Sequence, residues 1–393
     1  MKTAWILGAS LAIASFCAAA GAAAGPDNKA TAETLVNQCA SIKTGDRVLI
    51  TGRASDLELL EEVAINVRKL GAFPLISVGN EKLSRRMLDE TPAKFDTQTD
   101  ELELKLANSI TAMIGVQATD NPGLFADVPP ARTAARAKAG QPIQQAMYKN
   151  NVRMVMLGNG LYPTAATAKT FGISQDQLAT VFWAGVNTDY SKLQNTGETV
   201  RAALSSAKEA HLTNPNGTDL KFSLAGRQTF VSDGIISADD RAKGGPACQV
   251  WLPAGEVYST PVAGSAEGTV VVDRYVFQGQ DITGLKLTFK AGKCTDMSAK
   301  GGPIDKLKAQ YAAATPGKDA LALIDVGINE GMKLPKESKL LAWMPAGMVT
   351  IGLGGNAWAG GDNNSSFFLP GFLPGSTLTL DGKALVENGA LKK

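Results

Sequence analysis

In the first half of the chain, short apolar runs alternate with segments whose apolar residues recur every three or four positions. The run at 47–52 predicts a buried strand, the run at 74–79 predicts a second short apolar strand, and the periodic segment 56–70 between them predicts an amphipathic helix. Further apolar runs at 110–116 and 152–158 predict two more strands. Strands that alternate with helices form parallel sheets through right-handed crossovers, so this half is predicted to be an α/β domain.

Two sequence signals predict where helices begin. Ser55 with Glu58, and Ser174 with Gln177, have the three-residue spacing of a capping box, in which each side chain bonds the other residue's backbone N–H. A longer helix is predicted at about residues 197–210, and it closes the first half of the chain.

The pattern changes about half-way along the chain. Beyond that point, short β-branched runs are separated by Gly, Pro and Asp, a spacing that is typical of antiparallel strands. One helix is predicted in this half, at about 303–314, and the pair Asp381-Gly382 predicts a hairpin turn. We therefore predict an α/β N-terminal domain of residues 25–210, followed by an α+β C-terminal domain of residues 211–393.

Residues 1–24 have the composition of an export signal. A positive charge at Lys2 precedes the apolar run 4–15, and small residues at 18–20 or 22–24 offer two cleavage points. The apolar run of about 12 residues is too short to span a bilayer. We therefore predict an exported protein, periplasmic or secreted, without a membrane span.

The composition excludes one class of partner and leaves the cysteines open. The 39 basic and 37 acidic residues nearly cancel, so a partner held by net charge, such as nucleic acid, is not expected. Cys39, Cys248 and Cys294 follow the leader. Export favours oxidised thiols, and a disulfide between Cys248 and Cys294 is one hypothesis. The C-x-x-C spacing of zinc and redox sites is absent from the sequence.

Three segments of the second half resemble one known family. They are 215-PNGTDLKFSLAGR-227, 253-PAGEVYSTPVAGSAEGTV-270 and 381-DGKALVENG-389. On these segments the chain is similar to the thermophilic aminopeptidase family of metallopeptidases, of the aminopeptidase T and aminopeptidase S type. The resemblance extends over nearly all of the chain after the leader. It implies an aminopeptidase T-like two-domain architecture, a peptidase ancestry and a homodimer.

The resemblance also implies where a metal site would lie. That family holds two divalent ions with two glutamates, two histidines and one aspartate, and a tyrosine lies near the ions. Carboxylates bridge the two ions, imidazoles fix each of them, and a shared water becomes hydroxide. The first glutamate falls on Glu256. The second falls on Asp325, which keeps the carboxylate but is one methylene shorter.

The other positions of that site carry residues that cannot bind a metal in the same way. The first histidine falls on Thr350, the second on Phe368 and the aspartate on Pro370. The tyrosine falls on Ala357, or on Trp358 if the alignment slips by one residue. We therefore predict that Thr350, Phe368, Pro370 and Trp358 line a cleft that has lost most of its affinity for metal.

A single histidine, His211, occurs in the whole sequence, and it falls in the predicted linker before the second domain. It cannot replace two imidazoles, and it lacks the nearby nucleophile elbow that a Ser-His-Asp hydrolase needs. No cofactor is expected on this basis. If an altered metal site survives on Glu256 and Asp325, the expected ion is zinc, cobalt or manganese.

Three functions stay open at this point. The leading hypothesis is a catalytically inactive relative that binds a peptide or small molecule in the former active-site cleft. The second is an aminopeptidase that removes N-terminal amino acids with an altered metal site. The third is a structural or assembly role, with the apolar segment 366–374 as an interface.

Overall fold

The computed structural model describes residues 27–335 and 338–392. The predicted export signal at residues 1–24 lies outside the described residues and stays a prediction. Among the helices of the described ranges, none is both long enough and apolar enough to cross a bilayer.

Most of the α-helices of the described chain lie in its first half, as predicted. In chain order they are α1 (Asn28–Glu33), α2 (Leu57–Lys69), α3 (Glu81–Glu90), α4 (Glu101–Ser109), α5 (Pro130–Lys149), α6 (Ala165–Phe171), α7 (Gln175–Val186), α8 (Tyr190–Ser206), α9 (Ala238–Lys243) and α10 (Ile304–Ala313). A π-helical segment, Thr34–Cys39, follows α1 directly.

The strands form three sheets. In chain order they are β1 (Arg47–Arg53), β2 (Phe73–Gly79), β3 (Ala112–Val116), β4 (Arg153–Leu157), β5 (Glu209–Asn214), β6 (Thr218–Ser223), β7 (Thr229–Ser232), β8 (Gln249–Leu252), β9 (Glu256–Ser259), β10 (Glu267–Phe277), β11 (Gln280–Lys290), β12 (Lys293–Ser298), β13 (Leu321–Gly327), β14 (Val349–Gly354), β15 (Phe368–Phe372), β16 (Thr377–Leu380), β17 (Lys383–Glu387) and β18 (Ala390–Leu391).

The first sheet is parallel throughout, with the strand order β2-β1-β3-β4-β8. Ile50 in β1 lies between Ile76 of β2 and Ile114 of β3, and both Ile50 and Ile114 are buried. Strands with side chains buried on both faces need apolar residues at successive positions, which accounts for the apolar run of β3; the edge strand β2 is also apolar but exposes Leu75 and Val78. The predicted parallel α/β sheet is confirmed.

The edge strand β8 of this sheet comes from the second half of the chain. Its residues Gln249–Leu252 pair in parallel with Met154–Leu157 of β4. The chain therefore returns to the first sheet after it has already formed β5, β6 and β7. The segment that follows β8 leads directly into β9, so the first sheet positions the start of β9.

The start of α2 differs from the prediction. Asp56, not Ser55, makes the local hydrogen bonds: its carboxylate accepts from the backbone N–H of Arg53 at 3.0 Å. Arg53 also donates to the Asp56 carboxylate through its guanidinium, so an ion pair takes the place of the expected Ser55–Glu58 box. The second box is confirmed, because Ser174 Oγ accepts from the N–H of Gln177 at 3.1 Å and Gln177 Oε1 accepts from the N–H of Ser174 at 2.9 Å.

The helix predicted at about 197–210 begins earlier and ends sooner. Asp189 caps α8, since its carboxylate accepts from the N–H of Lys192, and the helix stops at Ser206. His211 therefore lies within β5 and not in a linker. Its ring nitrogen Nε2 is 2.7 Å from Asp219 Oδ1 on the neighbouring strand β6.

The hypothesis of a disulfide between Cys248 and Cys294 is wrong, because all three described cysteines are free thiols. Cys248 is buried just before β8 of the parallel sheet, whereas Cys294 lies on β12 at the edge of a different sheet. The Cys294 thiol instead donates to the backbone carbonyl of Asp296. The two sulfurs belong to separate layers of the molecule.

The second half forms two antiparallel sheets. One has eight strands in the order β12-β11-β10-β6-β5-β16-β17-β18, and the other has five in the order β15-β14-β13-β9-β7. A Cβ added at Gly371 of β15 would lie 2.7 Å from Val272 of β10, so the two sheets meet closely there. Val257, Val326 and Ile351 are fully buried on this inner face of the five-stranded sheet.

The predicted turn at Asp381-Gly382 is confirmed. Both residues have positive φ values, 47° and 82°, which suit a tight two-residue hairpin between β16 and β17. The Asp381 carboxylate also accepts hydrogen bonds from the backbone N–H groups of Lys208 and Glu209, which ties the hairpin to the start of β5.

The capping results give a direct test of the fold. We expect Ser174→Ala to lower the free energy of unfolding by about 1 kcal/mol, because the helix loses the acceptor for its N3 backbone N–H. Ser55→Ala is the matched control and is expected to change it by less than about 0.5 kcal/mol, since Ser55 is exposed. Urea unfolding of both variants measures the difference, and equal losses would contradict the assignment.

Candidate functional site

The outer face of the five-stranded sheet carries an acidic residue at its centre. Asp325 in β13 pairs with Tyr258 of β9 on one side and with Thr350 of β14 on the other. Phe230 of β7 and Phe372 of β15 extend the same row to both edges of the sheet. Directly paired residues project to the same face, so these five side chains form one continuous row.

Glu256 adds a second carboxylate to this face. It lies two residues before Tyr258 on β9, and side chains two apart on a strand share a face. Asn159 holds it in place: its side-chain amide donates to Glu256 Oε1 at 3.3 Å and to the carbonyl oxygen of Pro253 at 3.1 Å. Asn159 follows β4 of the parallel sheet with a φ of +43°. The first half of the chain therefore orients a side chain on the second.

Two polar atoms in the row have no hydrogen-bond partner. Asp325 is 1% exposed and Thr350 is 0% exposed, and neither Asp325 Oδ1 nor Thr350 Oγ1 is hydrogen-bonded within the described residues. No Lys, Arg or His of the described ranges lies within ion-pair distance of Asp325 or Glu256. A buried polar group without a partner costs about 1–3 kcal/mol. The unpartnered atoms of Asp325 and Thr350 therefore lower the free energy of unfolding.

The two carboxyl groups hold their protons unusually tightly. Burial raises the pKa of Glu256 from 4.5 to about 7, and the hydrogen bond from Asn159 opposes this rise. Burial also raises the pKa of Asp325 well above its ordinary range, and the nearby charge of Glu256 raises it further. The pKa of the Tyr258 hydroxyl is raised by burial and by both carboxylates. The three groups therefore share one electrostatic environment.

Aromatic side chains cover this face in an unbroken series of ring contacts. From one edge to the other the successive centroid distances are 5.5, 6.1, 5.3, 6.4 and 5.2 Å, and the rings belong to Phe230, Tyr258, Trp358, Phe368, Trp343 and Phe372. We call these six rings the aromatic cap. Gly352 of β14 makes room for it, because a Cβ there would lie 2.7 Å from a ring carbon of Phe368.

The structure brings most of the predicted site residues together. Glu256, Asp325 and Thr350 lie on the outer face, Phe368 belongs to the cap, and Trp358 joins the cap from a 3-10 turn with 48% of its surface exposed. Pro370, on β15, pairs with Gly352 and occupies the same face.

Sequence reasoning missed four contributors: Asn159, Phe230, Tyr258 and Trp343. The sequence could have indicated Tyr258, because strand alternation places it on the same face as Glu256. The other three are brought in by segments remote in sequence.

The residues present do not fit a two-ion centre. Within the described ranges no three His, Cys, Asp or Glu side chains are placed so as to hold a metal. His211 lies on β5 of the eight-stranded sheet, where its ring nitrogen Nε2 contacts the Asp219 carboxylate. Two carboxylates and one hydroxyl lack the nitrogen donors that fix each ion in such a centre.

A separate crevice opens at the carboxyl ends of the parallel strands. It is lined by the segment after β3 and by Gly160 and Tyr162 after β4, with a volume of about 230 Å³. The strand order places it beside the point between β1 and β3 where the chain reverses direction across the sheet, a common ligand position. Arg53 lies over the Tyr162 ring at 5.7 Å. Gly160 adjoins Asn159, so this crevice and the outer face are neighbours.

The sequence matches the thermophilic metalloprotease (M29) family over residues 27–312. The chain belongs to the M29 family. The matched range contains Glu256 and ends before Asp325. This confirms the family that the motifs of the second half indicate.

Individual relatives agree with the M29 assignment. Aminopeptidase PepS of Streptococcus thermophilus is 24% identical over 300 residues, which cover 69% of this chain and 70% of that protein. The fold resembles that of wild-type AmpT from Thermus thermophilus, with a TM-score of 0.70 at 17% identity, over 93% of this chain and 99% of that one. The predicted aminopeptidase T-like architecture is therefore confirmed.

A further solved structure has the same fold and a different chemistry in its name. The 2,5-dihydroxypyridine dioxygenase of Pseudomonas putida KT2440 superposes with a TM-score of 0.58 at 13% identity, over 93% of this chain and 96% of that one. One scaffold thus carries unrelated reactions, and the activity of an M29 chain depends on the side chains of its site.

The raised carboxyl pKa values predict how stability depends on pH. The folded-state pKa of Glu256, about 7, exceeds its ordinary value of 4.5, so stability is full below pH 4.5 and is lost as the pH rises through 7. Between pH 4.5 and 7.5 we expect the free energy of unfolding of Glu256→Gln to fall less than that of the wild type, by on the order of 1–3 kcal/mol. Urea unfolding at pH 4.5, 6 and 7.5 measures it. Glu209→Gln, an exposed change on β5, is expected to keep the wild-type profile.

Proposed function

We propose that this M29 protein is a non-catalytic binding protein, which holds a peptide or small molecule on the outer face of its five-stranded sheet. The observation that carries the proposal is the pair of buried atoms without partners, Asp325 Oδ1 and Thr350 Oγ1. Native structures rarely leave such atoms unsatisfied, and an unsatisfied pair beside a second carboxylate is typical of a site that a ligand completes.

The donor set supports the loss of hydrolysis. Peptide hydrolysis by a two-ion centre needs a metal-bound water that ionises near neutral pH and a group that polarises the scissile carbonyl. The positions that would hold the ions carry Thr350, Phe368 and Pro370, and the side chain of Phe368 occupies space above β14. A hydroxyl, a phenyl ring and a proline cannot offset the desolvation of two dications.

The accessibility of the face supports binding. Trp358 is half exposed, and Glu256, Tyr258 and Phe368 keep part of their surface open to solvent. Exposed rings beside polar groups that point to one place are the usual composition of a small-ligand site.

The alternative functions have less support from the structure. An altered metallo-aminopeptidase would have to hold its ion with Glu256, Asp325 and Thr350 alone. An assembly role through residues 366–374 is weakened, because Phe367, Leu369 and Leu373 are buried in the core. Export is proposed from the composition of residues 1–24, and a homodimer is proposed from the family resemblance.

Loss of hydrolysis has a direct test. We expect no turnover of alanyl- or leucyl-p-nitroanilide above the protein-free rate, with or without added zinc, cobalt or manganese, because the imidazole ligands are missing. Metal content of the purified protein, measured by plasma mass spectrometry, is expected to be well below one ion per chain. Stoichiometric metal together with turnover that Glu256→Ala abolishes would establish the aminopeptidase instead.

Binding is tested separately from hydrolysis. In a thermal-shift screen of free amino acids, short peptides and common metabolites, we expect ligands that raise Tm in a concentration-dependent way, since they bind the folded state alone. Asp325→Asn is expected to abolish the shift, whereas Glu209→Gln is expected to leave it unchanged. A screen in which Asp325→Asn and the wild type respond alike would place the ligand elsewhere.

A further inference from the structure

We propose that the ligand of the outer face is a small organic cation, a primary alkylammonium, whose nitrogen lies between Asp325, Glu256 and Thr350 and whose alkyl part contacts the aromatic cap. This inference rests on the proposed binding function and names the chemical class of its ligand. Four observations carry it: the charge of the face, its unpaired acceptors, the rings above it and the number of metal donors.

The charge of the face selects a cation. Glu256 and Asp325 are close neighbours on adjacent strands, and neither forms an ion pair with a described Lys, Arg or His. Burial raises the pKa of both carboxyl groups; a nearby cation would lower it and stabilise their charged form, whereas an anionic ligand would raise it further. A neutral apolar ligand would leave the two carboxyl groups unpaired. A positive charge is the addition that compensates them.

The hydrogen-bonding pattern selects a primary ammonium among cations. The unpartnered atoms are a carboxylate oxygen of Asp325 and the hydroxyl oxygen of Thr350, and both can accept. An –NH₃⁺ group has three N–H donors and no acceptor, so it can serve Asp325, Thr350 and Glu256 together. The single hydrogen bond to Glu256, from Asn159 to Oε1, leaves its other oxygen available. A quaternary ammonium has no N–H and would leave both atoms unsatisfied.

The aromatic cap suits the alkyl part of such a cation. Tyr258 pairs directly with Asp325, and its ring continues to Trp358 at 6.1 Å. Faces of Tyr and Trp attract a cation and the polarised carbons next to it. Trp358 is 48% exposed, so the cap has a side that solvent reaches. The ligand would enter there, with its charged end toward Asp325.

The number of donors argues against a metal ion in the same place. This face offers the carboxylates of Glu256 and Asp325 and the hydroxyls of Thr350 and Tyr258, and no described group of three acidic, histidine or cysteine side chains is placed to hold an ion. Calcium takes six to eight oxygen ligands, and the zinc sites of proteins add histidine or cysteine donors to any carboxylate. An ammonium has three N–H donors, and Asp325, Glu256 and Thr350 can each accept one of them.

The experiment compares four probes of similar size by isothermal titration calorimetry on the full mature protein. They are n-butylammonium, tetramethylammonium, n-butanol and n-butyrate, all at the same ionic strength. We expect n-butylammonium to bind and the neutral and anionic probes not to bind. Tetramethylammonium is expected to bind about 10- to 100-fold more weakly, because hydrogen bonds to charged groups contribute about 1.5–3 kcal/mol.

Variants assign the binding to this face. Asp325→Asn is expected to weaken n-butylammonium at least about tenfold while the protein stays folded, since asparagine has nearly the same volume. Trp358→Leu changes an exposed ring and is expected to weaken binding about 3- to 10-fold. Glu209→Gln, on β5, is the matched control and is expected to bind as the wild type does.

The outcomes separate this inference from the proposed function. If the library ligands that bind through Asp325 are neutral or anionic, the inference of a cationic ligand is wrong, but the proposed binding function stands. Equal affinity for n-butylammonium and tetramethylammonium would overturn the hydrogen-bonded ammonium. Stoichiometric Mn²⁺ or Zn²⁺ that competes with n-butylammonium would overturn the exclusion of metal. If neither the probes nor the screening library binds, both proposals fail.

Discussion

The central constraint on this molecule is an acid pair, the partly exposed Glu256 and the buried Asp325, on a sheet whose other face fixes the register. Val257, Val326 and Ile351 fill the layer between the two sheets, so β9, β13 and β14 cannot shift against one another without exposing them. A one-residue slip would move every apolar side chain to the wrong face. The core therefore places the acid pair on the outer face, whatever the acids contribute to stability.

The acid pair in turn explains the surrounding chemistry. Its carboxyl groups lack cationic partners within the described chain; burial raises the pKa of both, and the charge of Glu256 raises that of Asp325 further. Asn159 supplies one hydrogen bond to Glu256, and it comes from the loop after β4 of the parallel sheet. Because β8 joins that sheet and runs directly toward β9, the two halves of the chain meet at this point. A substitution of Asn159 in the first half would remove a hydrogen bond from Glu256 in the second.

The aromatic cap lies on the face of the five-stranded sheet that is opposite the core. Membership of the M29 family is shown by the match over residues 27–312, and the fold resembles that of AmpT. Neither depends on which side chains lie on the outer face, because the fold is held by the inner one. Rings such as Phe368 and Trp343 add apolar area to the face that carries the acids, which supports the proposal of an organic ligand.

The sequence by itself determined the parallel sheet of the first half, the α+β second half, the Ser174 cap, the Asp381-Gly382 turn and the family. These follow from local periodicity and from short motifs, which need no knowledge of distant contacts. Through motif positions it also predicted Glu256, Asp325, Thr350 and Phe368 as site residues, and the structure places Glu256, Asp325 and Thr350 on one face of a sheet and Phe368 in the aromatic cap. The capping box predicted at Ser55 and Glu58 is wrong, because Arg53 and Asp56 form an ion pair at that helix start.

Only the tertiary structure decided what those residues do together. The free state of Cys248 and Cys294 follows from their places in different sheets, and the place of His211 follows from the pairing of β5. The site is assembled from segments between positions 159 and 372. They supply the unpartnered Oδ1 of Asp325, the hydrogen bond from Asn159 to Glu256 and the six rings of the aromatic cap. Hydrogen-bond satisfaction and burial depend on atoms that are distant in sequence and close in space, so no reading of neighbouring residues can supply them.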